Sequence, residues 1–153
     1  MSIQSVGPAF DDVPREADGF RTMLCAQLAV RRVLNQRMQS ALGVPFSQAS
    51  ALVQLARCNT MPCHALAKSL GCGTSRLTRL AQDLERRALI VRRRNDQDSR
   101  ALDLSLTATG WRIAERVPAV VEEAERIVLQ GLSMEERRFL KRFLQRILGE
   151  IHQ

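Results

Sequence analysis

Apolar residues recur at three- and four-residue intervals along much of the chain, and this spacing predicts amphipathic helices. The first predicted helix runs from Phe20 to Leu42, and Gly43 and Pro45 stop it. A second helix is predicted to begin at a Ser47 cap. The stripe of the first helix also contains Met23, Leu24, Leu28, Leu34 and Met38.

The middle of the chain has the pattern of two short helices joined by a tight glycine turn. The first helix covers residues 62–70, with its proline in the first turn, and Gly71 ends it in a left-handed conformation. Thr74 or Ser75 is expected to cap the second helix, which reaches about Arg87. Its inner face is predicted to consist of Leu77, Leu80, Ala81 and Leu84.

A β-hairpin is predicted next, with strands over Ile90–Arg94 and Ala101–Leu106 and a polar turn between them. The second strand alternates, which places its leucines at 102, 104 and 106 on one inward face. Thr107 is expected to cap the following helix, and Pro118 is expected to kink or offset that helix.

Ser133 and Glu136 have the spacing of a capping box and predict the start of the last helix. Its apolar positions are Phe139, Leu140, Phe143, Leu144, Ile147 and Ile151. Both ends of the chain therefore carry long helices with wide apolar faces, and a second copy of the chain is the simplest partner for them.

Composition supports a mainly helical protein that binds a polyanion. Hydrophobic residues make up 45% of the chain, but aromatic residues only 4%, and tyrosine is absent. The net charge is +7 and the isoelectric point is about 10.5, which favours nucleic acid as a partner. With no apolar leader or membrane-length segment and with four cysteines outside any CxxC pair, we expect a cytoplasmic protein with reduced thiols and no membrane contact.

The positive charge is concentrated between residues 74 and 100, where eight arginines and four acids leave four of the seven excess charges. A recognition helix presents the side chains of its N-terminal part to base edges in the major groove, and a hairpin arginine can enter the minor groove. Arg100 is the candidate probe, steadied by Asp98, whereas Arg86 and Arg87 are interpreted as cations that compensate the helix dipole. The predicted DNA-binding residues are Thr74, Ser75, Arg76, Thr78, Arg79, Arg92, Arg94 and Arg100.

The run LAKSLGCGTSRLTRLAQDLERRALIVRRRNDQDSRALDLSLTATG resembles the core of the MarR family of bacterial transcription regulators. Asp98 to Arg100 match the D-x-R of the family's wing, and Leu106 to Gly110 match the L-T-x-x-G that follows. One position departs from the pattern, because Ala88 stands where the family commonly has glycine, and a positive φ there would strain it slightly.

The resemblance implies a winged helix-turn-helix at residues 47–118, flanked by helical dimerisation regions at 19–46 and 119–153 and preceded by a flexible arm at 1–18. The fold class is mainly α with a small β-hairpin wing, α+β. The implied function is a homodimeric regulator, more often a repressor, on a pseudo-palindromic operator of double-stranded DNA.

The resemblance also implies modulation by a ligand or by thiol oxidation. Cys25 lies where related redox sensors have their cysteine, but those sensors place tyrosines near the thiol, so a structural cysteine is the favoured interpretation. The implied pocket would take a small lipophilic or aromatic ligand. Its candidate residues are Cys25, Leu28, Leu52, Leu55 and Trp111.

Enzymatic chemistry has little support in the sequence. No phosphate loop or glycine-flanked nucleophile is present, and Cys58, Cys63 and His64 do not have the spacing of a common zinc site. We therefore expect no enzyme activity, no cofactor and no metal. The alternative function is a helical interaction module that uses its basic face to bind an acidic protein or RNA.

Overall fold

The computed structural model describes residues 18–95 and 102–151 and confirms the mainly helical class with a small β wing. The proposed N-terminal arm lies almost entirely outside the described residues. Helices and strands follow in the order α1 Asp18–Leu42, α2 Phe46–Cys58, β1 Thr60–Pro62, α3 Cys63–Ser69, α4 Thr74–Arg86, β2 Ile90–Arg94, β3 Leu102–Leu106, α5 Ala108–Val128 and α6 Met134–Ile151.

Strand β1 was not expected from the sequence. Its three residues pair antiparallel with β3, with Thr60 opposite Ser105 and Met61 opposite Leu104. Strand β2 pairs with the other edge of β3, so the sheet order is β1-β3-β2. A three-residue segment is too short to show an alternation of apolar and polar residues. Its strand conformation depends on pairing with β3, which lies far along the chain.

Three helix starts differ from the predictions. Ser47 does not cap α2, because Pro45 is the N-cap residue and Asn35 of α1 supplies the acceptor, with its Oδ1 3.0 Å from the backbone N of Phe46. Neither Thr74 nor Ser75 caps α4, whose N-cap is Gly73. Pro62 likewise precedes the first turn of α3 as its N-cap. In α2, a side chain from another helix performs the capping that the local sequence was expected to provide.

Two predicted caps are confirmed. Thr107 accepts a hydrogen bond from the backbone N of Gly110 at 3.1 Å. The capping box before α6 is complete, since Glu136 Oε2 accepts from Ser133 N at 2.7 Å and Ser133 Oγ accepts from Glu136 N at 3.3 Å. The hydrogen bonds from Ser133 lower the pKa of the Glu136 carboxyl.

Ala88, at the position where the resembled family commonly has glycine, has a positive φ of 54°. Such a conformation costs a residue with a Cβ about 1–2 kcal/mol. Three hydrogen bonds hold the turn: Ala88 N donates to Glu85 O at 2.8 Å, Leu89 N donates to Leu84 O at 2.9 Å, and Thr107 Oγ1 donates to Ala88 O at 2.7 Å. The turn therefore joins the end of α4, the start of β2 and the start of α5.

The core lies where α2, α4, β2, β3 and α5 meet, and its fully buried leucines include Leu52, Leu55, Leu77 and Leu84. Of the three inward leucines predicted in β3, only Leu104 is fully buried, and Leu102 is exposed. Helix α5 continues through Pro118. Helix α6 contributes no buried residue, and its apolar face is exposed along its length.

Candidate nucleic-acid interface

Helix α4 presents its basic start to solvent because its apolar residues fix its inner face. Leu77, Ala81 and Leu84 are at most 1% exposed. The predicted contact residues Thr74, Ser75, Arg76, Thr78 and Arg79 lie between and before these positions, and all five are exposed. The structure thus brings these five residues together on the exposed surface of the first one and a half turns of α4.

The turn before α4 determines where that helix starts. Gly71 has the predicted left-handed φ of 60°, and the next backbone N, that of Cys72, donates to Ala67 O at 3.0 Å. Since the N-cap Gly73 has no side chain, the start of α4 lacks a side-chain cap. An uncapped helix start offers backbone N–H groups and a positive dipole end to a phosphate.

The hairpin lies beside α4, and its strand register determines which face of the sheet each arginine lies on. Arg92 pairs with Leu104 and Arg94 with Leu102, so both arginines share the face of the sheet that carries the buried Leu104. Arg93 pairs with Asp103 on the opposite face. Arg93 and Arg94 are both exposed, and Arg93 is not among the DNA-binding residues predicted from the sequence.

Arg92 is engaged with α4. Its Nε lies 2.7 Å from Glu85 Oε2, its Nη2 contacts the same oxygen, and its side chain is 26% exposed. This pairing lowers the pKa of the Glu85 carboxyl. Arg92 therefore ties the first wing strand to the last turn of α4.

Asp103 lies near the loop end of the hairpin, opposite Arg93. Its Oδ2 accepts a hydrogen bond from Asn95 Nδ2 at 2.9 Å, whereas its Oδ1 is buried without a hydrogen-bond partner. The predicted minor-groove probe Arg100 and its support Asp98 lie in residues 96–101, outside the described residues.

The two arginines at the end of α4 have different surroundings. Arg86 forms a 2.7 Å ion pair with Asp83 of its own helix. Arg87 instead reaches the α1–α2 turn, where Nη1 donates to Gln48 Oε1 at 2.7 Å and Nη2 donates to Gly43 O at 2.6 Å. Sequence spacing gave no signal for these partners, because they precede Arg87 by 39 and 44 positions.

The predicted ligand residues do not share one accessible surface. Leu52 and Leu55 are fully buried in the core, Leu28 is 38% exposed, and Cys25 and Trp111 are half-buried. A cleft of about 560 Å³ opens elsewhere, between the start of α2 and the α3–α4 unit. Its lining includes Arg31, Phe46, Ser47, Leu70, Arg76 and Leu80.

The cysteines in the described ranges, all four of them, are free thiols. Burial raises the pKa of the Cys63 thiol. Across residues 18–95 and 102–151, no three potential ligands among histidines, cysteines and acids are grouped to hold a metal ion. In the same ranges, no helix is long and apolar enough to cross a membrane.

Comparison with known proteins finds a family model and several relatives that the chain resembles. Residues 46–102 match the model of the MarR family. The uncharacterized HTH-type transcriptional regulator YdgJ of Bacillus subtilis is 28% identical over 126 residues, which cover 80% of this chain and 75% of that protein. The transcriptional repressor MprA of Escherichia coli is 27% identical over 135 residues, which cover 86% of this chain and 77% of that protein.

Solved structures share the fold. A mutant MarR from Escherichia coli, in complex with operator DNA, matches with a TM-score of 0.78 and 22% sequence identity. The match covers 93% of this chain and 99% of that one. At this level of identity, the likeness concerns the fold.

Proposed function

We propose that this chain is a winged helix-turn-helix transcriptional regulator of the MarR family, which binds a specific operator in double-stranded DNA as a homodimer and represses transcription there. The observation that carries the proposal is the exposed basic start of α4 beside the wing. A repressor is favoured because the similar protein MprA is named as one.

In the proposed complex, α4 enters the major groove. Arg79 forks onto a guanine, Arg76 and the uncapped start of α4 bind phosphates, and the hydroxyls of Thr74, Ser75 and Thr78 bind phosphates or base edges. Thr78 Oγ1 donates its proton to Thr74 O at 2.9 Å, so it can accept a hydrogen bond from a base-edge amino group but must give up this bond to donate to a phosphate.

The wing follows the adjacent backbone in this proposal. Arg94 is exposed and contacts phosphate in this proposal, and Arg100 enters the minor groove with Asp98 as its support. Arg92 contributes indirectly, because its guanidinium is engaged with Glu85 and holds the wing against α4.

The proposed dimer uses residues 19–46 and 119–153. Exposed apolar side chains support this assignment: Phe139, Phe143 and Leu148 of α6 are 43%, 56% and 56% exposed, and Phe20 of α1 is 58% exposed. Monomeric soluble proteins rarely expose so continuous an apolar face. A two-fold symmetric dimer carries two copies of the DNA-binding unit, so it requires an operator with two half-sites in pseudo-palindromic arrangement.

Modulation by a small lipophilic or aromatic ligand, or by oxidation of Cys25, is the second part of the proposal. A ligand changes operator affinity only if it binds the two dimer conformations unequally. The cleft beside Arg76 supports such a role, since its lining includes both the apolar Phe46 and Leu80 and a predicted phosphate contact. Unchanged operator binding after peroxide treatment and in Cys25→Ser would exclude the oxidation route.

The proposal is tested by selecting genomic fragments with the purified protein and titrating the selected duplex in gel shifts. Arg79→Ala is expected to relax base preference at one operator position, with a loss of about 1–3 kcal/mol in discrimination. Arg100→Ala is expected to weaken binding and the preference for A·T-rich flanks. Arg112→Ala is the control, because Arg112 bonds Thr109 of its own helix, away from α4. Wild-type behaviour of both variants would refute the assignment of these residues.

The alternative, an interaction module for an acidic protein or RNA, predicts a different result. In that case the chain would sediment as a monomer and would ignore palindromic duplex DNA at every salt concentration.

A further inference from the structure

The end of the recognition helix α4 is hydrogen-bonded to the junction between α1, which is part of the proposed dimer region, and α2. Arg87 is the C-cap residue of α4. Its two terminal nitrogens hold Gly43 O, at the end of α1, and Gln48 Oε1, near the start of α2. A guanidinium that binds two acceptors in its own plane restricts rotation as well as distance, which a single hydrogen bond does not.

Both acceptors are held rigidly. Gly43 has a φ of 67°, and its backbone N donates to Gln39 O at 3.0 Å, so its carbonyl is fixed by the turn that ends α1. Gln48 is 6% exposed and lies in the first turn of α2. The Gly43 carbonyl cannot follow Arg87 without moving the end of α1, and the burial of Gln48 limits how far its side chain can follow.

Two further side chains tie the same junction together. Asn35 of α1 caps α2 through the backbone N of Phe46, at 3.0 Å. Arg116 of α5 donates to Ala41 O at 3.3 Å. The end of α1, the start of α2, the end of α4 and the middle of α5 therefore meet at one set of hydrogen bonds.

We infer that Arg87, through Gln48 and Gly43, positions the recognition helix relative to α1 and thereby sets the half-site spacing that the dimer accepts. The inference rests on the proposed homodimeric DNA binding. With the dimer helices fixed to each other, the distance between two recognition helices depends on the angle at which each α4 leaves its junction. A looser junction lets that angle vary, and the dimer then tolerates operators of several spacings.

Arg86 provides a matched control. It is the same residue type one position earlier, its side chain is 78% exposed, and its ion pair with Asp83 stays within α4. Arg86→Met and Arg87→Met remove the same charge from the same helix end. Only the second substitution breaks the contact with the α1–α2 turn.

The experiment measures affinity for a series of duplexes that carry the selected operator with one or two base pairs inserted or deleted between its half-sites. A single half-site duplex is measured in parallel. Wild type and Arg86→Met are expected to lose about tenfold or more in affinity for each base pair of altered spacing, equivalent to about 1.4 kcal/mol. Arg87→Met and Gln48→Met are expected to compress that loss to about threefold or less, with half-site affinity unchanged.

Several outcomes would overturn the inference. If Arg87→Met keeps the wild-type spacing preference, or loses affinity equally for every spacing and for the half-site, Arg87 only stabilises the fold. Arg87→Lys covers the case in which Arg87→Met does not fold, because lysine keeps the charge but cannot bind both acceptors in one plane, and it too is expected to broaden the spacing preference. If wild type binds no duplex at all, the proposed function fails instead.

Discussion

Replacing Gly110 with alanine is expected to destabilise the protein because the start of α5 touches the backbone that precedes β2. A Cβ at residue 110 would lie 2.1 Å from Leu89 O and 3.1 Å from Leu89 C. Backbone atoms cannot swing aside as a flexible side chain can, so α5 or the Leu89 peptide must move by about 1.3 Å or more to reach ordinary van der Waals separation.

The size of the effect follows from what that movement disturbs. Thr107 N donates to Leu89 O at 3.1 Å, and Thr107 Oγ1 donates to Ala88 O at 2.7 Å. Loss of two hydrogen bonds costs about 1 kcal/mol each, and overpacking of a tight contact adds about 1–3 kcal/mol. The better helix propensity of alanine returns about 1 kcal/mol. The expected net loss is about 2–4 kcal/mol in the free energy of unfolding.

Urea unfolding followed by circular dichroism measures this loss, with every variant at the same chain concentration because a dimer's stability depends on concentration. Gly149→Ala is the matched control, since its added Cβ meets no atom within 4 Å apart from the adjacent backbone of its own helix, and it sits in the last turns of α6. It is expected to leave stability unchanged or raise it by up to about 1 kcal/mol. If Gly110→Ala is as stable as wild type, the close packing of α5 against Leu89 is wrong.

Three further predictions concern the turn, the wing and the capping box. Ala88→Gly is expected to raise the free energy of unfolding by about 0.5–1 kcal/mol, because relief of the positive φ exceeds the added freedom of the unfolded chain; a lower urea midpoint would contradict this. Arg92→Met is expected to weaken operator binding because it frees the wing from α4. In gel shifts, the preference for A·T-rich flanks is expected to fall, while the base preference at the positions facing α4 persists. An equal loss of both preferences would argue against a role of Arg92 in anchoring the wing. Glu136 has a lowered pKa, so its contribution is complete above the ordinary glutamate value of 4.5 and is lost as the pH falls through the lowered value. Glu136→Gln keeps a capping side chain without a charge, and its stability, measured by thermal unfolding across that pH range, is expected to fall less than that of wild type.

Much of the fold was predictable because it depends on local patterns. Strand β2 was predicted at its observed bounds, and the Thr107 cap and the box at Ser133 were recognised from spacing that requires no distant partner. The backbone strain at Ala88 is also predictable from the sequence, because alanine stands where the resembled family commonly has glycine.

The parts that were missed depend on contacts between distant segments. Strand β1 exists because it pairs with β3, and the cap of α2 comes from Asn35 of another helix. The same reason explains Arg87, which sequence alone marks only as a cation at a helix end, and Arg92, whose face depends on the strand register. Leu52 and Leu55 were proposed for a ligand pocket on the basis of family resemblance, and the packing places both in the core.

Sedimentation of the purified protein with its selected palindromic duplex, across a series of salt concentrations, tests the central claim most directly. The account predicts two chains per duplex and an affinity that falls linearly in a log–log plot against salt. With at least two phosphate-binding arginines in each copy, the slope is expected to be about −3 to −4 or steeper. A single chain that sediments apart from the duplex, or a complex indifferent to salt, would contradict it.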